Sequence, residues 1–371
     1  MDTPDGCGAL NYGIRVPKGV IGVICPWNLP LLLMTWKVGP ALACGNTVVV
    51  KPSEETPATA TLLGEVMNEV GIPPGVYNVI NGTGPGAAGE LLAKHSGVDA
   101  LTFTGGTATG EAIMRNAAAG VRDVSFELGG KNAGIVFADS NFEQAVDGIT
   151  RAAFANCGQV CLGTERVYVQ RPIFDAFIDA LKARAESFTP GLPISDSTDI
   201  GPMVSRQQLR KVLTHYGRAT EYGAEVVTGG GVPEMPSELA GGFWIEPTIW
   251  IGLSEQSPIV KEEIFGPCCH VRPFDDEEEV IALANDTDYG LAVGVLTNNF
   301  RKARILRDEC EAGMIYWNGG SIAAESHLAF GGVKKSGNGF PSAARTFRAV
   351  THEISWTVNH ADKLTFPQGM K

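Results

Sequence analysis

Short β-branched runs alternate with longer segments of helical character along most of this 371-residue chain, and no other feature restricts its fold as much. Val20 to Ile24, Thr47 to Val50, Val76 to Ile80 and Ala100 to Phe103 read as strands, with helices between them near residues 57–70 and 87–95. Strands separated by helices need crossover connections, so this set predicts a parallel sheet. Thr47 to Val50 is apolar almost throughout, as a strand covered on both faces would be. A second set begins near Asn132, with a strand at 134–137, a helix at 142–156, a strand at 166–169 and a helix at 173–187. It predicts a second α/β unit, with a cleft between the two. Residues 3–16 and 347–360 read as extended segments outside both units.

With 44% apolar residues, a chain of this length can bury two cores. Its 41 acidic and 29 basic residues leave a net charge of -12, which repels a phosphate polyanion and provides no basic stripe, so no nucleic-acid partner is expected. The eight cysteines, at 7, 25, 44, 157, 161, 268, 269 and 310, are too sparse for a disulfide scaffold and fit a reducing cytoplasm. No signal peptide is legible. The apolar stretch from Val20 to Met34 is broken by Gly22, Pro26, Asn28 and Pro30, so no membrane span is expected. Cys268-Cys269-His270 could suggest a metal, but consecutive strand residues point to opposite faces, and no metal site is expected.

Two residues are candidates for chemistry, although by themselves Cys161 also reads as a small buried hydrophobe and Glu127 as an exposed turn carboxylate. Cys161 ends the run Asn156-Cys-Gly-Gln-Val-Cys161, and a thiolate is a strong nucleophile toward an aldehyde carbonyl. Glu127 opens Glu127-Leu-Gly-Gly-Lys131, whose glycines permit a tight turn expected to hold the carboxylate over the cleft. A carboxylate there can activate the water that hydrolyses a thioester. Cys157, four residues before Cys161, is either a buried thiol or a redox neighbour. Lys51 and Glu54 follow a strand at the carboxyl edge of the sheet, where such folds bind nucleotides; both can reach ribose hydroxyls, and Glu54 would repel a 2′-phosphate. The same Ser53 and Glu54 also read as a helix cap.

Taken with Pro26-Trp-Asn-Leu-Pro30, Lys51-Pro-Ser-Glu54, Phe103-Thr-Gly-Gly-Thr-Ala-Thr-Gly110 and Glu262-Glu-Ile-Phe-Gly-Pro267, in that order, these residues make the chain resemble the aldehyde dehydrogenase superfamily from about residue 11 to Gly339. Up to about residue 290 it looks most like the 2-hydroxymuconic semialdehyde dehydrogenases. The resemblance implies an aldehyde dehydrogenase fold, with a Rossmann-like parallel-sheet cofactor domain, an α/β catalytic domain and a β oligomerisation extension. The matching boundaries are 1–17 for an oligomerisation strand segment, 18–129 for the cofactor domain, 130–339 for the catalytic domain and 340–371 for a terminal oligomerisation segment.

It further implies NAD as cofactor, a small aldehyde as substrate and a homodimer or homotetramer as the assembly. Cys161, Glu127 and Asn28 are the implied catalytic residues, Asn28 as an oxyanion donor, although a turn-forming Asn is an alternative for it. Ile24, Pro26, Trp27, Lys51, Ser53, Glu54, Gly105, Gly106, Gly110, Leu128, Glu263 and Phe265 are the implied cofactor contacts. The pyrophosphate is expected at the helix start after Phe103-Thr-Gly105, leaving the literal G-x-G-x-x-G of Gly84 to Gly89 as wall. Members of the family carry roughly another hundred residues, a domain-scale piece, ahead of the point where this chain begins. A shortened and catalytically impaired relative is therefore an alternative reading. The loop Gly319 to Ala329 lacks the Arg-rich sequence of the semialdehyde enzymes, and Asn318 to Gly339 resembles a different branch of the family, which leaves a dehydrogenase for another, amino-acid-derived semialdehyde as a further alternative.

Overall fold

The computed structural model describes residues 9–339 and 343–360. Cys7, the start of the expected 1–17 segment and much of the expected 340–371 segment lie outside the described residues. Two sheets dominate.

The first has six strands in the order Gly337–Asn338, Asp123–Glu127, Ala100–Thr104, Val20–Ile24, Thr47–Lys51, Tyr77–Val79. All are parallel except the short Gly337–Asn338. Ile24 pairs with both Lys51 and Phe103, and Thr104 pairs with Glu127. The strands therefore end together, and the segments after them share one carboxyl edge, where an open α/β sheet binds its ligands. Helices Ala58–Glu69, Ala88–Lys94 and Thr107–Ala118 cross over between strands, within a residue or two of the expected bounds where bounds were drawn. Val23, Val48 and Val50 are fully buried at the centre of this sheet.

The helix Pro30–Ala43 was not foreseen. Pro26, Asn28 and Pro30 read as breakers, yet Pro30 stands at the helix start, where its missing N–H costs nothing and its φ is already helical. Its buried face, from Leu33 and Met34 to Val38 and Ala41, packs on the first sheet and carries Lys37 inward with it.

The second sheet has seven strands, ordered Met314–Trp317, Ala292–Leu296, Asn132–Val136, Thr164–Gln170, Cys268–Phe274, Thr248–Ile251, Glu225–Thr228. Only Glu225–Thr228 is antiparallel. Helices Phe142–Phe154 and Phe174–Glu186 bury Val146, Ile149, Phe177 and Leu181 against it. Cys268 and Cys269 face different clusters, on opposite sides of their strand, and His270 accepts a hydrogen bond from the Leu253 N–H at 3.2 Å. Gly337–Asn338, which sequence placed with the second unit, hydrogen-bonds beside Glu127 in the first.

A separate antiparallel ribbon joins Ala9–Pro17 to Thr351–Asn359 through nine register pairs, with Tyr12 stacked on Trp356 at 6.5 Å. The extended reading of 347–360 needs one correction: residues up to Val350 complete the helix Ala343–Val350. Among the described residues no helix is long and apolar enough to cross a membrane.

Candidate active site

The chain leaves the helix Phe142–Phe154 through three consecutive left-handed residues, Asn156 (φ 51°), Cys157 (φ 56°) and Gly158 (φ 68°). Two of them carry side chains, at a cost on the order of 1 kcal/mol each that must be met by surrounding contacts. Asn156 Nδ2 donates to the carbonyls of Gln159 and Asn28, both at 3.2 Å, and Gln159 Nε2 donates back to the Asn156 carbonyl at 3.1 Å. Gln159 Oε1 accepts from the Val204 N–H at 2.9 Å. Gly158 is indispensable for steric reasons: a Cβ there would stand 2.5 Å from Pro267 N and closer still to the Gly266 carbonyl. The turn thus locks against the Glu262 to Pro267 loop. Asn132 Nδ2 completes the clamp by donating to the Cys161 carbonyl at 2.7 Å.

Cys161 borders a cavity of about 190 Å³ between the two sheets. Pro26, Trp27 and Asn28 enter it from one strand end of the first sheet, Gly105 and Gly106 from another, and Leu128 from a third. Glu263 and Phe265 close it from the second unit, with Trp27 and Phe265 edge to face at 5.5 Å. Nine of the residues singled out in the sequence therefore meet around one space. Asn28 Nδ2 gives one N–H to the Gln159 carbonyl at 3.1 Å, which fixes the amide and leaves a second donor on the same nitrogen.

Burial pushes the Cys161 thiol up to about 12, with the Glu127 and Glu263 carboxylates adding to the rise against two backbone N–H groups that oppose it. The thiol is protonated at neutral pH. Glu263 is raised to about 7, by burial first and the Glu165 carboxylate second, with the Gly130 N–H opposing. That N–H donates to Glu263 Oε1 at 2.9 Å, and the space is made by Gly129, whose added Cβ would lie 2.7 Å from Glu263 Cδ.

Glu127 departs from expectation. Its carboxylate does not line the cavity but turns beneath it, where Oε2 accepts from Lys37 Nζ at 3.2 Å and from Thr104 Oγ1 at 2.6 Å. Both members of the ion pair are buried. A buried carboxylate is held most strongly by a charged donor within hydrogen-bond reach, and Lys37 supplies it. The glycines after Glu127 serve the neighbouring loop instead. Oε1 has no partner.

Lys51, Ser53 and Glu54 lie outside the cavity, at the next strand end along the same edge. Lys51 Nζ bonds Glu54 Oε2 at 2.9 Å; burial raises Glu54, but its backbone hydrogen bond and Lys51 outweigh this and hold it below the usual carboxylate range. Ser53 Oγ accepts from the Glu55 N–H at 3.3 Å in the turn ahead of the helix Ala58–Glu69, which opens at Pro57 without a side-chain cap, so the expected helix cap does not form. Ile24 is a buried strand end in the core cluster beneath Phe103. Gly110 lets the helix Thr107–Ala118 approach Leu128, since a Cβ would come within 2.7 Å of that side chain. The loop from Gly84 to Gly89 does not border the cavity; Gly89 sits beside the Lys51 stem. Cys157 is buried, with Sγ 3.6 Å from Met203 Sδ, and no disulfide joins it to Cys161.

Four further residues belong to this site. Gln208 and Lys211 reach the cavity from the helix Arg206–Glu221, and Gln208 Nε2 donates to the Phe265 carbonyl at 2.9 Å. Polar residues on an amphipathic helix carry no signal that separates them from a solvated face. Lys37 and Thr104 were missed too, although a lone Lys inside the apolar run from Leu31 to Ala43 is a legible anomaly, because such a residue is buried only when paired.

Comparison with known proteins gives the family. The aldehyde dehydrogenase family profile matches residues 3–355. A 2-hydroxymuconic semialdehyde dehydrogenase of Pseudomonas putida is 63% identical over 339 residues, covering 91% of this chain and 70% of the relative. A 2-aminomuconic semialdehyde dehydrogenase of Danio rerio is 41% identical, covering 96% of this chain and 73% of the relative. Among solved structures, a betaine aldehyde dehydrogenase from Staphylococcus aureus in complex with NAD+ superposes with a TM-score of 0.94 at 36% identity, over 98% of this chain and 71% of that one. The chain belongs to the aldehyde dehydrogenase family, enzymes that oxidise an aldehyde group.

Proposed function

We propose that this protein oxidises a semialdehyde of aromatic ring cleavage to the carboxylic acid, using NAD+ and a covalent intermediate on Cys161. The observation that carries the reading is the meeting of Cys161, the Asn28 amide and the Glu263 and Phe265 loop around one cavity at the carboxyl edge of a parallel sheet. The carboxyl edge that holds this cavity suits a dinucleotide. Gly106 caps the twelve-residue helix Thr107–Ala118 with nothing within 4 Å of the place a Cβ would take, so backbone N–H groups at a positive helix end are open to a pyrophosphate. Glu263 can take ribose hydroxyls and Phe265 can pack beside a ring, while Lys51 and Glu54 are placed for the adenosine ribose. NAD+ held there supplies the two-electron acceptor that removes the aldehyde hydrogen.

The chain's own residues do the rest. Cys161 Sγ gives up its proton to solvent and adds to the carbonyl carbon, and the resulting oxyanion is met by the remaining Asn28 Nδ2 donor and the Cys161 N–H. Oxidation leaves a thioester on Cys161. Glu127 then rotates away from Lys37 toward the cavity and takes a proton from water, whose attack releases the carboxylate and restores the thiol.

A second reading rests on the loop Gly319 to Ala329, which holds Glu325 and His327 and neither Arg nor Lys. A carboxylate tail would find no clamp in that loop, whereas an ammonium tail could pair with Glu325, favouring an amino-acid-derived semialdehyde. The free thiols among the described residues suit a cytoplasmic location. Leu10 and Trp356, each about half exposed on the two-stranded ribbon, favour a homodimer or homotetramer built through it. Cys161→Ala tests the reading: NADH production from either class of semialdehyde should vanish with NAD+ binding nearly intact, and residual turnover within tenfold of the parent would refute it.

A further inference from the structure

We propose that Glu165 is a positioning residue for the nicotinamide end of the site, holding the Glu263 and Phe265 loop in its working conformation. Glu165 stands four residues after Cys161, at the start of the strand Thr164–Gln170, and is buried. Its Oε1 accepts from the Phe265 N–H at 2.8 Å and its two oxygens accept from the Ile264 N–H at 3.0 and 3.2 Å. The same carboxylate pairs with Lys131, also buried, at the far end of the Glu127-Leu-Gly-Gly-Lys131 turn. One side chain thereby ties together the strand behind the nucleophile, the turn behind the hydrolytic carboxylate and the backbone of the loop that closes the cavity.

The loop needs that tie. Phe265 has φ 62°, a left-handed conformation that a bulky residue adopts only when its surroundings dictate it. Two adjacent backbone N–H groups pointing into a buried space require acceptors, and Glu165 is their charged one. Gln208 anchors the Phe265 carbonyl and Gly130 the Glu263 carboxylate, but neither touches the 264 and 265 N–H groups. The Glu165 charge also faces Glu263, together with Lys131 and Lys211, and contributes to the raised Glu263.

The inference rests on placing Glu263 and Phe265 at the nicotinamide end, and the experiment separates the two claims. Glu165→Gln keeps the size of the side chain and loses its charge. It should raise the KM for NAD+ at least tenfold and enlarge the primary deuterium isotope effect with a 1-deuterated aldehyde. Hydrolysis of p-nitrophenyl acetate, which needs the Cys161 thiol and no hydride acceptor, should stay within twofold. A parent-like NAD+ KM, or ester hydrolysis falling by the same factor as aldehyde oxidation, would overturn the proposal. If Glu165→Gln does not fold, Glu165→Asp keeps the charge near Lys131 and withdraws the oxygens from the loop; it must then show the same selective loss, and parent-like behaviour overturns the role. Glu263→Gln is the control: an unchanged NAD+ KM there removes the nicotinamide assignment, and the proposal with it, whereas a raised one beside a silent Glu165→Gln sinks the positioning role alone.

Discussion

Replacing Gly158 with Ala tests whether the nucleophile turn and the cofactor loop are one mechanical unit. The new Cβ would lie 2.5 Å from Pro267 N where ordinary contact begins at 3.4 Å, so the two loops must part by about an ångström. Backbone atoms, not a flexible side chain, block the space. The left-handed conformation at φ 68° costs an alanine about 1–2 kcal/mol and the overpacking about 1–3 more, giving a destabilisation of about 2–5 kcal/mol. At about 2 °C per kcal/mol for a chain of this size, the melting temperature should fall by roughly 4–10 °C. Displacing Cys161 from Phe265 by about an ångström should cost about a hundredfold in kcat, because near-attack geometry is that sensitive. Gly217, inside the helix Arg206–Glu221 with nothing within 4 Å, is the control, and Gly217→Ala should stabilise by about 0.5–1 kcal/mol. Thermal melts and steady-state NADH production read both variants. A Gly158→Ala enzyme that melts with the parent and turns over within twofold of it would refute the coupling.

Glu127→Gln should give a burst of about one NADH per site and then stall at the thioester, with steady turnover lower by about 10²–10⁴, as expected for loss of a general base; stopped-flow absorbance checks this, and a missing burst would move Glu127 out of the hydrolytic step. Alkylation of Cys161 by iodoacetamide in the free enzyme should climb about tenfold per pH unit from pH 7 to 10, since the thiol sits near 12 and the thiolate fraction sets the rate; a plateau near pH 8 would contradict the buried neutral thiol. Because that folded value exceeds the ordinary 9.0, the stability linked to the protonated thiol is present below pH 9 and is lost as pH rises toward 12, which melts at graded alkaline pH can follow. Glu54→Ser should improve kcat/KM for NADP+ by at least tenfold by removing a carboxylate from the ribose edge, and a parent that uses both cofactors equally would show that Glu54 does not select.

The sequence by itself determined a largely parallel first sheet and a second α/β unit, because β-branched runs alternating with helices leave few other packings and residues such as Val23, Val50 and Ile135 announce buried strands by composition, but it marked only two of the second sheet's seven strands. It also named Cys161, Asn28, Glu263 and Phe265, whose motifs are specific only in combination and which the fold then draws to one cavity. Local pattern misled at the helix Pro30–Ala43, where proline at the first position resembles a breaker until the helix behind it is seen. What only tertiary structure decided was how buried charge is satisfied. Neither the pairing of Glu127 with Lys37, ninety residues apart in sequence, nor that of Glu165 with Lys131 and the 264 and 265 N–H groups leaves a trace in spacing. Such partners are chosen by distance in space within a low-dielectric interior, where an unpaired charge costs several kcal/mol and donors from elements distant in sequence supply the remedy.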